Sequence, residues 1–141
     1  MKLQTFLPLV TYPDANSEAT IVNAVAVSKL LGADLDVLAL EVDIPAVSNT
    51  LSRALLDLPE MIRHAEKLSA QRGSGMLADA EAKAEAAAIT ARTAVAKCQQ
   101  ALLGETAAEK ARYSDIALVG WESGKAGARM VGEAVAFGSG R

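Results

Sequence analysis

The feature that most constrains this chain is a pair of short apolar runs, Leu3–Val10 and Asp34–Val42, with one amphipathic segment between them. Each run has the length of a strand. Each is nearly continuous in apolar residues, the pattern of a strand buried on both faces. Between them lies a turn-rich stretch, Thr11–Asn16, and then a segment that reads as a helix from Ser17 to Leu31. Ile21, Val25, Ser28 and Leu31 follow one face of that helix, with Val22 and Ala26 beside it. Asn16 or Ser17 is placed to cap its free amides, and Gly32 is placed to stop it. Strand, helix and strand at this spacing predict a parallel pair joined by a right-handed crossover. Pro8 counts against a central place for the first strand, because proline donates no ladder hydrogen bond; a position near the strand's end softens that objection.

The rest of the chain continues the alternation. Leu51–Leu58 reads as a short helix or an ordered loop. Pro59 and Glu60 then suit the first turn of a long helix running to about Ala87, with Met61, Leu68 and Leu77 as apolar anchors and a break or a kink at Gly73 and Gly75. Ile89–Val95 alternates like a strand near a sheet edge. A helix follows from Gly104 to Tyr113, then a fourth strand from Asp115 to Gly120, then a short helix from Arg129 to Phe137 that ends at Gly138-Ser139-Gly140. The order β-α-β-α-β-α-β-α predicts an α/β fold: a doubly wound, Rossmann-like parallel sheet in an α/β/α sandwich, filling residues 1–141 as one domain.

Composition narrows the function. At 51% hydrophobic and 22% charged residues the chain can bury a core and is not a disordered polymer. A net charge of −3 and 4% aromatics argue against a general nucleic-acid binder or a base-stacking platform. No run approaches a membrane span, and Met1–Gln4 shows none of the regions of a signal peptide, so a cytoplasmic location without a membrane partner is expected. One cysteine, Cys98, excludes an internal disulfide and a cysteine-based zinc site, and one histidine, His64, excludes any site that needs two. Asp34, Asp36, Glu41 and Asp43 form an acidic patch, but Asp34 and Asp36 sit at the amino end of their strand, away from the usual crevice, and read as a solvated surface rather than a metal site.

Three stretches carry a family resemblance. Phe6-Leu7-Pro8-Leu9-Val10 with the following helix and Gly32-Ala33-Asp34-Leu35, then Ala111–Gly120, and then Phe137-Gly138-Ser139-Gly140-Arg141 together resemble the universal stress protein family. The resemblance implies a parallel α/β sandwich that is usually a homodimer and, in some members, binds ATP at the carboxyl ends of the strands through a G-x2-G-x9-G-[ST] motif. Glycines there let main-chain amides approach phosphate, and a helix N-terminus adds partial positive charge. The site residues it implies are Thr11, Asp14 and Val42 at the adenosine end, and Gly120, Gly124, Gly127, Arg129, Gly138, Ser139 and Gly140 at the phosphate end, with Lys125 and Arg141 as additional charge. In the family the Gly-Ser segment leads into an apolar fifth strand, often the dimer contact, so a fragment of a longer or tandem protein is also expected.

The chain departs from the motif at several points. Ser123 stands where the second glycine belongs, and Gly138-Ser139 falls several residues late. Val10 occupies the place of the family's aspartate, with Asp14 on the longer loop beyond it. The stretch Gly120–Gly140 therefore has two readings: a loop and helix that cradle an anion, or a flexible loop plus helix caps. Trp121 either flanks a ligand or packs half-buried after the fourth strand. Surface solvation accounts for His64, Lys125 and Arg129, and a plain thiol for Cys98. No general acid/base pair is evident, so the expectation is a non-catalytic, self-associating domain that binds ATP or AMP. The alternatives are an interaction module with a degenerate nucleotide site, or an enzyme of the wider nucleotide-binding α/β group such as a nucleotidyl transferase or electron-carrier subunit.

Overall fold

A computed structural model describes residues 1–45 and 57–140. Its elements are β1 (Gln4–Val10), α1 (Glu18–Leu31), β2 (Asp34–Val42), α2 (Leu58–Ala86), β3 (Ala91–Cys98), a 3₁₀ turn (Gln100–Leu102), α3 (Leu103–Ala111), β4 (Ile116–Ala117) and α4 (Ala126–Gly138). The strands form one sheet in the order β3-β2-β1-β4, and every neighbouring pair is parallel. The α/β fold expected from the sequence is present. The stretch 51–58 lies outside the described residues except for Asp57 and Leu58, which open α2.

Strand alternation divides the core between the two faces of the sheet. Leu7 and Leu9 of β1 and Leu35 and Val37 of β2 pack with Ile21, Ala24 and Val25 of α1 and Ala80 of α2. Phe6 and Val10 of β1 and Leu38 and Leu40 of β2 pack on the opposite face with Leu103 and Ala107 of α3 and Val131 and Val135 of α4. Burial on both faces explains why β1 and β2 read as continuous apolar runs. Each fully buried Leu or Val contributes about 1.5–3 kcal/mol by leaving water. Gly32 ends α1 in the left-handed region at φ 63°, as its place in the sequence predicts.

Pro8 lies in a central strand after all, and the ladder shows why it is tolerated. The carbonyls of Gln4 and Phe6 accept from Asp115 and Leu118 on the β4 side. Residue 8 has the same parity, so its missing N–H points to that side too, beyond Thr5–Phe6, where the pairing with β4 ends. The next amide on that side, Val10 N–H, donates instead to Asn16 Oδ1 at 2.7 Å. Asn16 thus takes the place of a strand neighbour rather than capping α1.

Several boundaries differ from the sequence reading. The buried face of α1 is Thr20, Ile21, Ala24, Val25 and Ser28, while Val22, Ala26 and Leu31 face outward. α2 runs unbroken through Gly73 and Gly75, and Gly73 lies against the sheet: a Cβ there would lie 3.4 Å from that of Ala39. β3 begins later and extends to Cys98, in register with β2 from Leu35↔Ala91 to Val42↔Cys98. β4 is cut to Ile116–Ala117, beside the point where Pro8 has no N–H to donate to a longer ladder. α4 is longer than expected at both ends.

Candidate functional site

The sheet order reverses between β1 and β4, so the carboxyl ends of the strands flank the crevice where ligands of open α/β sheets usually bind. Its two ends have different geometry.

At the β1–β2 end lies a buried chain of hydroxyls. Val42 N–H donates to Ser69 Oγ at 2.9 Å. Ser69 Oγ lies 2.7 Å from Thr11 Oγ1, and Thr11 Oγ1 donates to the Leu40 carbonyl at 2.7 Å. With its one hydrogen committed to Leu40, Thr11 must accept from Ser69, so the four groups form a chain of one direction. Thr11 and Ser69 are each 0% exposed. Arg72, one turn further along α2, donates to the carbonyls of Thr11 and Pro13 and holds the β1–α1 loop down. Thr11 and Val42 are therefore brought together, but beneath α2, with their polar groups paired to it. Asp14 lies exposed on the loop above.

At the β1–β4 end a carboxylate sits over the start of α1. Glu122 Oε1 accepts from Ser17 N–H at 2.8 Å and from Thr20 Oγ1 at 3.3 Å, while its Oε2 pairs with Lys125 Nζ at 2.6 Å. Lys125 Nζ also donates to the Ala15 carbonyl at 2.8 Å. The Lys125 ammonium and the Ser17 amide hold the Glu122 carboxyl down at about 2, well below its ordinary value. Ser17 occupies the N-cap position of α1 but makes no side-chain cap hydrogen bond; Glu122 supplies the acceptor from across the crevice.

The glycines of this region are fixed by contact. A Cβ on Gly120 would lie 2.6 Å from Thr20 Oγ1 and 2.8 Å from Asn16 Nδ2. On Gly127 it would meet Val10 at 3.0 Å, and on Gly132 the Trp121 ring at 3.0 Å. Val10 is thus a core residue against the start of α4. Gly124 forms the turn ahead of α4 at φ 80° with open space beside it. Arg129 pairs with Glu133 on the outer face of α4.

Gly138, Ser139 and Gly140 stand at the far end of α4. The helix is 13 residues long. At 1.5 Å per residue it separates them from the Gly120–Gly127 turn by roughly 18 Å. Ser139 is buried there, and the Gly138 carbonyl accepts from Arg112. Arg141 lies outside the described residues. The glycine-bearing turn and the Gly-Ser segment are not brought together.

His64 is exposed on α2. Cys98 is a half-buried free thiol, pushed up by burial. Asp34 pairs with Lys2 and Asp36 with Arg92, both at the amino edge of the sheet. Among the described residues no three His, Cys, Asp or Glu side chains converge as metal ligands, and no helix is long and apolar enough to cross a membrane. No protein-family model matches the chain, and no curated protein matches it either.

Sequence reading missed Ser69, Arg72 and Glu122. For Ser69 a signal was present: Ala65, Ser69 and Gly73 repeat at helical spacing, and small residues on one face let a helix lie close to a sheet. For Glu122 no local signal exists, because its partner Ser17 is 105 positions away.

Proposed function

We propose that this chain is a non-catalytic α/β module of the universal stress type that acts by association with another copy of itself, and that its nucleotide crevice is closed by its own side chains. A dimer working in the cytoplasm, without a bound cofactor, goes with that reading. The observation that carries the closure is the occupation of both ends of the crevice. Ser69 takes the hydroxyl and amide at the adenosine end, and Glu122 takes the amide and ammonium at the other. A nucleotide would have to break the buried chain at one end and displace a carboxylate at the other. Losing each buried hydrogen bond costs about 1–3 kcal/mol before any new contact forms.

Calorimetric titration with ATP and with AMP to millimolar concentration tests the closure. No saturable heat is expected from either. A saturable signal at one nucleotide per chain would overturn the closed crevice and restore the nucleotide-binding reading. That second reading draws support from the Gly124 turn, which opens onto the N-terminus of α4 beside Lys125.

A further inference from the structure

α3 leaves part of the sheet uncovered. Its Gly104 and Ala108 face α4, while Leu103, Ala107 and Ala111 pack on β1 and β2. Arg92, Ala94 and Ala96 of β3 point to the same side of the sheet as Leu38 of β2. Among the described residues no helix covers them there. The result is a groove of about 380 Å³ toward the amino edge, on the side of α3 away from α4. Its size falls near the lower end of the roughly 300–1,000 Å³ of small-molecule sites. The chain joining β2 to α2 does not reach its Asp36–Arg92 end. Val42 is bonded to Ser69, and Asp57 opens α2 twelve residues earlier, roughly 18 Å outside the carboxyl edge. A path from Val42 down to Asp36 and out again to Asp57 runs to about 60 Å, beyond the roughly 50 Å that fifteen extended residues span.

The floor of this groove is apolar, from Phe6, Leu38, Ala94 and Ala96, and it is flat because the β3 residues are small. Its walls are polar. Ser114 lines it at 6% exposure, and its hydroxyl has no hydrogen-bond partner among the described residues. The oxygen is not sealed either, so it opens on the groove. A hydroxyl buried without a partner costs free energy that a bound acceptor would recover. Lys110, in the last turn of α3, forms no ion pair among the described residues. Arg92, on the β3 wall, is paired with Asp36. Two cations and one carboxylate leave one positive charge in excess. Tyr113 stands at the rim, 81% exposed. We propose that the groove binds a small, flat monocarboxylate. The apolar body lies on Ala94 and Ala96 beneath the Tyr113 ring, and the carboxylate sits between Lys110 and Arg92 and accepts from Ser114. A phosphate would bring about two negative charges against an excess of one. The site goes beyond the closed-crevice reading and does not depend on it.

Titration of the full chain with 2-naphthoate and with its neutral counterpart 2-naphthalenemethanol, followed by amide shifts in NMR, tests this. The expected result is saturable binding of one naphthoate per chain below millimolar concentration, with shifts at Ala94, Ala96 and Ser114, and weaker binding of the alcohol. Lys110→Gln should weaken the acid about tenfold, as for a hydrogen bond to a charged group, and leave the alcohol unchanged. Ala94→Leu fills the floor at an exposed position and should weaken both about tenfold with an unchanged melting temperature. Naphthoate that does not saturate by millimolar concentration would overturn the site, and so would unaltered affinity in Ala94→Leu. Equal affinity for acid and alcohol, or no loss in Lys110→Gln, would overturn the assignment of a carboxylate.

Discussion

The two ends of the carboxyl-edge crevice are closed by different chemistry. At the β1–β2 end the closure is neutral and buried: an amide, two hydroxyls and a carbonyl bonded in one direction, with Thr11 and Ser69 sealed from water. At the β1–β4 end it is charged and partly wet, since the side chains of Glu122 and Lys125 keep 24% and 27% of their exposure. The first closure depends on geometry alone. The second depends on charge, and so on pH and salt. Both tie up polar groups at the carboxyl edge of the sheet, but the first belongs to the core and the second to the surface. Their energetics should differ in size and in kind.

The largest effect is expected at the buried end. Ser69→Ala leaves Val42 N–H without its acceptor and Thr11 Oγ1 without its donor, in a space where water has no access. A loss of about 2–3 kcal/mol is expected in urea denaturation, the upper part of the range for a buried group left unpaired. It should be the same in low and high salt. A loss below about 0.5 kcal/mol would mean that water reaches the end of β2, and the contrast with the β4 side would vanish.

That contrast also explains what the sequence disclosed and what it hid. β1, β2, α1 and the stop at Gly32 were legible because burial on both faces writes itself as a local apolar run. The edge strands were legible as strands, and β3 as an edge strand, but their extents were not. β4 stops beside Pro8, which lies 108 positions earlier than Ile116, and no local pattern around Ile116 records that. The glycines at 120 and 127 read as part of a phosphate cradle because spacing alone does not separate backbone opened for a ligand from backbone pressed against Thr20 and Val10. The closures themselves join residues far apart in the chain, Val42 to Ser69 and Ser17 to Glu122, and such pairs leave no period to read.

An intermediate effect is expected at Gly120, where the β4 side depends on packing as well as charge. In Gly120→Ala the new methyl would come within 2.6 Å of Thr20 Oγ1 and 2.8 Å of Asn16 Nδ2. Both neighbours are side chains that can give way, so a loss of about 1–2 kcal/mol is expected, in the lower part of the range for overpacking. Their movement would also disturb the hydrogen bonds to Val10 and Glu122. The Glu122 carboxyl should then titrate closer to its ordinary value, which carbon-detected NMR can follow. An unchanged titration with an unchanged stability would show that Gly120 is not held against α1.

The smallest effect, and the one most specific in kind, is expected from Glu122→Gln. The Glu122 carboxyl titrates at about 2 in the folded chain and near 4.5 when free. Above about pH 4.5 it is ionised in both states, and the ion pair contributes its full stability. As pH falls toward 2 the unfolded chain takes up the proton first, so that contribution is lost across this window. Glutamine does not titrate. The gap between wild type and Glu122→Gln should therefore be greatest at neutral pH, about 1 kcal/mol or less for a pair this near to solvent, and should close as pH falls. Taking the difference between the two proteins matters, because Asp34 and Glu60 are also held below their ordinary values by Lys2 and Arg63 and would shape either acid curve alone. High salt should narrow the gap at neutral pH. The gap for Ser69→Ala should ignore both variables. If the Glu122→Gln gap were as wide at pH 3 as at pH 7, the carboxylate charge would not be what holds this end, and the two closures would be alike in kind.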